Sequence, residues 1–401
     1  MGVDAGTKKA SVVALVVAVC LVAANMRPTI TAVGPLLAQI GDDTGMATAT
    51  LGLITAVPLV TWALVSPLAH ELSQRFGLSR VVLWALLLLT AGTLVRSVPG
   101  PAVSLWMGTA LIGVALALTN VLMPAAIKRD FPGRMTAMMA VYTALLGGVG
   151  AISSGVAVPL SQLAEGGAGW RLALLISGGA LLPFAIAAWA WATRGTHPPH
   201  VARGSFRRRR TGIWSDRVAW LVAGYMGLQS CMFYVLVTWL ATISTSTGRT
   251  PIVAGYDVMI YQLFSLAGSL TLPFVLRGRA ERYVPATIPV LGVAGIIGLM
   301  ATPGAILVWC VLLGLFGGAS LGMSLTLMAQ RARDHDAAAA LSGMSQSVGY
   351  LIAAAGPVAF GALHAASGGW IAPLAMLLVV LAALIAVGVF VGRDRYVLEP
   401  R

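Results

Sequence analysis

Acidic residues are scarce in this sequence. Only 13 Asp and Glu stand among 401 residues, charged residues of both signs make up 10%, and the mean hydropathy is +0.88. A soluble domain carries about 25% charged residues, so this chain cannot cover a surface in water. That excludes a soluble enzyme, a nucleic-acid binder, a coiled coil and a disordered chain. Cysteine is scarce too: Cys20, Cys231 and Cys310 all sit in apolar runs, which excludes a disulfide framework. The five histidines (His70, His197, His200, His335 and His364) fall in loops or at helix ends. Zinc spacings, nucleotide loops and nucleophile motifs are missing, so the expectation is a non-enzyme without metal or cofactor. Lysine is nearly absent, three of 26 basic residues.

What the chain does have is apolar length: 58% of its residues are hydrophobic. A transmembrane helix needs about 20 residues, so twelve need about 240. The runs predict helices over 10–38, 47–70, 80–97, 103–127, 135–160, 170–193, 215–243, 252–276, 284–302, 305–330, 338–364 and 371–392. Between them stand turn signals such as Gly41-Asp42-Asp43, Val98-Pro99-Gly100-Pro101 and Phe131-Pro132-Gly133. Backbone in lipid must satisfy its own hydrogen bonds, so these runs are helices. Lys8 and Lys9 before the first run imitate a secretory signal, but the many later runs make it a retained first span.

The net charge of +13, with the patch Arg207 to Arg210, points to the membrane rather than to nucleic acid. Basic residues collect on the cytoplasmic side of spans. With both termini inside, 22 Lys and Arg fall on that side, and only Arg96, Arg171 and Arg249 fall outside. Both termini are therefore expected in the cytoplasm of a multi-pass protein of the cytoplasmic (inner) membrane. The polar, arginine-rich stretch 194–214 divides a bundle over 1–193 from one over 215–401. The halves echo each other: Gly169-Trp170 recurs as Gly369-Trp370, Arg129-Asp130 as Arg333-Asp334 and Gln74-Arg75 as Glu281-Arg282. The expected fold is all-α, two six-helix bundles related as parallel repeats, with a site near the midplane between them.

One basic residue, Arg27, falls about 17 residues into a span. Burying Arg near a helix centre costs about 2.5–3.5 kcal/mol, so its side chain should face water or a partner. With no acid at comparable depth, it reads as an anion site whose guanidinium offers a fork of donors. The alternative is a structural arginine bonded to carbonyls. Thr31, four residues on, shares its face, whereas Asn25 points toward neighbouring helices. Further candidate lining residues are Asn120, Tyr142, Gln229, Phe233, Tyr234, Gln262, Gln346 and Tyr350, each polar or aromatic within a span. Pro28 and Pro124 are candidate kinks at a gate. Asp257 alone of the acids lies inside a helix, and is a candidate proton site or an exposed acid of the outer vestibule. Glycines 147–150 and 314–318 suit close helix packing.

The run Asn25-Met26-Arg27-Pro28-Thr29-Ile30-Thr31-Ala32-Val33-Gly34-Pro35-Leu36-Leu37 resembles the first-helix signature of the cyanate/2-nitroimidazole (CynX/NimT) family of major facilitators. Asn120-Val121-Leu122-Met123-Pro124, Lys128-Arg129-Asp130-Phe131-Pro132 and Leu341-Ser342-Gly343-Met344-Ser345-Gln346-Ser347 agree. The resemblance implies a monomeric transporter of a small anionic or nitro-bearing solute. It also implies charged gating residues, here Arg75, Glu281 and Arg282. Gln74 stands where that family's fold usually carries an acid, so the lock of the first half is expected to be weak. The competing functions are a multidrug/proton antiporter and a non-transporting membrane sensor.

Overall fold

The first apolar run folds as three pieces. The computed structural model describes residues 12–100, 102–165, 167–194, 210–276, 278–333 and 335–399, and its first helix comprises α1a (Val12–Met26), α1b (Pro28–Thr31) and α1c (Val33–Thr44). Two prolines set the breaks. Pro28 lacks an N–H and opens α1b at its first position. Pro35 has no N–H for the Thr31 carbonyl, and the helix lapses at Ala32. Gly41-Asp42-Asp43, read as a break, is helical. The stop comes at Gly45, whose φ of 65° favours glycine.

Eleven more spans follow. They are α2 (Thr48–Phe76), α3 (Leu78–Ser97), α4 (Ala102–Asp130), α5 (Met135–Ser161), α6 in two pieces (Gly167–Gly179 and Leu182–Ala192) and α7 (Arg217–Ser246). Then come α8 (Pro251–Val275), α9 (Val284–Ala301), α10 (Ile306–Gln330), α11 (His335–Ser367) and α12 (Ile371–Val391). Twelve spans are long and apolar enough to cross a membrane among the described residues, and no strand occurs among them. The sequence places α2 to residue 70, but it runs on to Phe76. Gln74 and His70, one turn apart, bond at 2.8 Å, and Gly77 at φ 89° ends the helix. Residues 195–209, which hold most of the basic linker and Arg207, Arg208 and Arg209, lie outside the described residues, as do Lys8 and Lys9.

Two apolar cores organise the bundle. One is built mainly from the first six spans, holds Val22, Leu59, Leu86, Leu116 and Trp189, and takes in Tyr234 of α7 and Ala353 and Ala354 of α11. The other holds Tyr225, Leu236, Phe316 and Leu381 of the last six, and it continues into Leu36, Leu37, Ile54, Val158 and Trp170. Those five residues are the far ends of α1, α2, α5 and α6, opposite the end where the described chain begins and finishes. The far ends of both halves therefore share one core. Glycine makes that closeness possible: a Cβ on Gly34 would lie 2.0 Å from the Val237 carbonyl oxygen, and one on Gly52 would lie 2.4 Å from that of Pro357.

Candidate functional site

Arg27 stands at the break between α1a and α1b, half-buried, in the middle of the first span. Its guanidinium lies over the ring of Phe233 on α7, 5.4 Å from the centroid. The Tyr234 hydroxyl is within hydrogen-bonding reach of it. Tyr142, Tyr261 and Tyr350 lie within its electrostatic reach. No ion pair to a carboxylate involves Arg27 among the described residues. Gly150 on α5 lets the arginine stem pass, since a Cβ there would come within 2.9 Å of the Arg27 Cβ.

Aromatic rings wall this position. Phe233 meets Tyr234 edge-on at 5.2 Å and Tyr261 at 6.1 Å. Trp62 on α2 packs edge-on against Tyr234 at 6.1 Å and Tyr350 at 5.0 Å. Trp62 joins aromatic residues of α7 and α11, yet the sequence reading passed over it. Its signal was its depth, since Trp ordinarily gathers at membrane interfaces. Its indole N–H is buried without a partner among the described residues.

Other expected residues land differently. Thr31 is 0% exposed, and its hydroxyl donates to the Gly150 carbonyl at 2.8 Å and meets Ser153 Oγ at 3.2 Å. It therefore ties α1 to α5 and offers nothing to a solute. Gln229 turns to its own helix, donating to Ser230 Oγ at 2.7 Å and Met226 Sδ at 3.3 Å. Gln346 likewise donates to Ser342 Oγ at 3.0 Å. Asn120 is half-buried on α4, and its amide makes no side-chain bond among the described residues. Tyr142 is buried, with its hydroxyl on Met26 Sδ at 3.2 Å. Asn25 caps the Leu21 carbonyl at 2.7 Å, in keeping with a packing role. Gln262 gains in standing, because its Nε2 donates to Ser154 Oγ at 2.6 Å and bonds the second half to the first.

Asp257 is no exposed vestibule acid. It is 0% exposed, its Oδ1 accepts from Arg249 Nη2 at 2.9 Å, and Oδ2 accepts from Ser244 Oγ at 2.5 Å. The carboxylate is satisfied within the far end of α7 and α8. The expected gate charges also separate. Arg75 is exposed and stacks on its neighbour Phe76 at 5.2 Å, so it locks nothing in this arrangement. Glu281 accepts from Gln330 Nε2 at 2.6 Å, and Arg282 bonds and stacks on Tyr283. Both belong to a cavity of about 530 Å³ at the near end of the second half, with Arg331, Asp394 and Tyr396. That cavity lies at the end of the bundle, distinct from the Arg27 position. Pro124 lies inside an unbroken α4.

A half-buried cation stacked on a ring from the last six spans, in a chain with twelve helices long and apolar enough to cross a membrane, points to one class: a membrane transporter. The Major Facilitator Superfamily profile matches residues 16–357, and the chain belongs to that superfamily, in its cyanate/2-nitroimidazole group. It is 38% identical over 387 residues to the 2-nitroimidazole transporter of Escherichia coli, covering 96% of each chain. It is 36% identical to the uncharacterized transporter YycB of Bacillus subtilis, covering 96% of this chain and 95% of that one. The cyanate transport protein CynX of Escherichia coli is 28% identical over 88% of this chain and 90% of its own. The fold matches that of the D-xylose-proton symporter with a TM-score of 0.74 at 13% identity, covering 95% of this chain and 96% of that one. The chain is a transporter and not an enzyme.

Proposed function

We propose that the protein moves a small anionic or nitro-bearing solute, cyanate-like or nitroimidazole-like, across the cytoplasmic membrane by alternating access, with both termini in the cytoplasm. The observation that carries this reading is Arg27: a half-buried guanidinium at mid-span with an aromatic ring beneath it and no carboxylate paired to it among the described residues. A guanidinium presents parallel donors to the paired oxygens of a carboxylate or nitro group. Stacking on Phe233 occupies its face and leaves for such a group the edge that Tyr234 does not take. Trp62, Tyr234 and Tyr350 then wall the space for a flat body. The solutes named for the two Escherichia coli relatives, 2-nitroimidazole and cyanate, support the same reading.

The sealed far end supports solute and water reaching Arg27 from the near, basic end. Reopening the far end requires the Gly34 and Gly52 contacts to part. A proton antiporter of cationic drugs fits less well, because Asp257 is already neutralised by Arg249. The test is equilibrium binding of 2-nitroimidazole and of cyanate to purified wild type and Arg27→Ala. A saturable wild-type signal that weakens at least tenfold in Arg27→Ala supports the reading. Equal affinity in both proteins overturns it.

A further inference from the structure

Arg96 stands near the far end of α3, where the sequence counts it among the few outer-loop charges. It is instead 2% exposed. Its Nη1 donates to the Thr29 carbonyl at 2.7 Å, and none of the ion pairs among the described residues includes it. Thr29 lies within α1b, the four-residue piece between the lapses at Arg27 and Ala32. Arg96 thus grips the backbone of α1b two residues beyond Arg27.

The grip falls on a carbonyl that the break sets free. In an unbroken helix the Thr29 carbonyl accepts from the N–H of Val33, and the Thr31 carbonyl faces residue 35, where proline has no N–H. At this lapse each takes a side chain instead, Thr29 from Arg96 and Thr31 from Ser154 Oγ at 2.8 Å. Beyond the lapse, α1c carries Gly34 against Val237 and forms part of the far seal. Two Arg96 donors, Nε and Nη2, and the Thr29 hydroxyl have no partner among the described residues. Buried groups are ordinarily satisfied, so this cluster holds donors and an acceptor in reserve for a second arrangement of the break.

We infer that Arg96 is a positioning residue: it holds α1 broken at Ala32 by occupying the Thr29 carbonyl, and so keeps α1c seated on α7 and the far side closed. Without that donor the carbonyl recovers the Val33 N–H, the lapse shrinks to the step that Pro35 enforces, and α1c shifts off Val237. The inference needs no solute and stands apart from the anion reading of Arg27.

The test uses a single reporter, Ala241→Cys, one turn beyond Val237 on α7 and buried, with Cys20, Cys231 and Cys310 replaced. Maleimide labelling of the full-length protein in detergent, without solute, is compared across variants of equal thermal stability. Arg96→Met, which keeps the stem and removes the donors, is expected to label at least fivefold faster. Arg96→Lys restores a donor and should return the rate to within twofold of the parent. Pro35→Ala supplies the missing N–H at the same lapse and should also speed labelling, which covers the case in which Arg96→Met does not fold. Unchanged labelling in folded Arg96→Met, or in Pro35→Ala where Arg96→Met is lost, overturns the proposal, as does failure of Arg96→Lys to rescue.

Discussion

The guanidinium of Arg27 in the first half lies over the ring of Phe233 in the second, 5.4 Å from its centroid. The contact joins the first six spans to the last six, where the proposed alternating access requires them to move. A cation over an aromatic face is worth about 0.5–2 kcal/mol, more as water is removed. Phe233→Leu removes the ring and keeps the bulk. Its expected effect is a two- to twentyfold loss of 2-nitroimidazole affinity, measured by equilibrium binding, with Arg27 still in place. Unchanged affinity would separate the ring from the site.

Trp62 contacts Tyr234 and Tyr350 edge-on. Such pairs contribute about 0.5–1.5 kcal/mol beyond their buried area. In the proposed site this wall supports a flat ring, whereas a three-atom linear anion reaches only the guanidinium. Trp62→Leu is therefore predicted to weaken binding of 2-nitroimidazole by about two- to tenfold and to leave cyanate within twofold. Competition of each solute against the other in one assay measures the ratio directly.

Asp257 and Arg249 form a pair in which the acid side chain is fully buried and the arginine side chain is 31% exposed. Removing one member of a dry pair costs about 3–5 kcal/mol; partial exposure of Arg249 lowers the expectation for Arg249→Ala to about 1–3 kcal/mol. The loss should be largely recovered in Arg249→Ala with Asp257→Asn, because the orphan charge is then gone. Thermal melts of the single and double variants give the cycle. The same pair removes Asp257 from the path of the solute, so Asp257→Asn is predicted to keep the pH profile of transport.

Ser154 links three elements. Its hydroxyl donates to the Thr31 carbonyl at 2.8 Å and accepts from Gln262 at 2.6 Å, across the two halves. Ser154→Ala leaves the Gln262 amide without that acceptor in a buried place, at a cost of about 1–3 kcal/mol. The expected outcome is a lower melting temperature that Gln262→Leu in the same chain partly restores, since both polar partners are then absent.

The spans were legible because apolar length and a break in charge determine them, and their limits agree within a few residues. The exceptions are instructive. Polar residues 70–75 read as a loop, but the helix continues through them until Gly77 stops it. Arg27 was legible as a charge where lipid tolerates none. Arg96 was not: it precedes Ser97-Val98-Pro99 by one residue, and only the packing of α3 against α4, with Gly108 close on Arg96, makes that position interior. Gln229 and Gln346 lie at the right depth, yet each amide turns to a serine on its own helix, a rotamer choice that spacing does not encode. Thr31 shares the Arg27 face, but its hydroxyl is taken by Gly150 and Ser153 of α5.

The most direct measurement is counterflow of external labelled cyanate into proteoliposomes loaded with unlabelled cyanate, with external cyanate and 2-nitroimidazole as competitors, on wild type and Arg27→Ala of equal stability. The account predicts competition by both solutes in wild type and its loss in Arg27→Ala. Normal counterflow in Arg27→Ala would make Arg27 a structural residue and contradict the account.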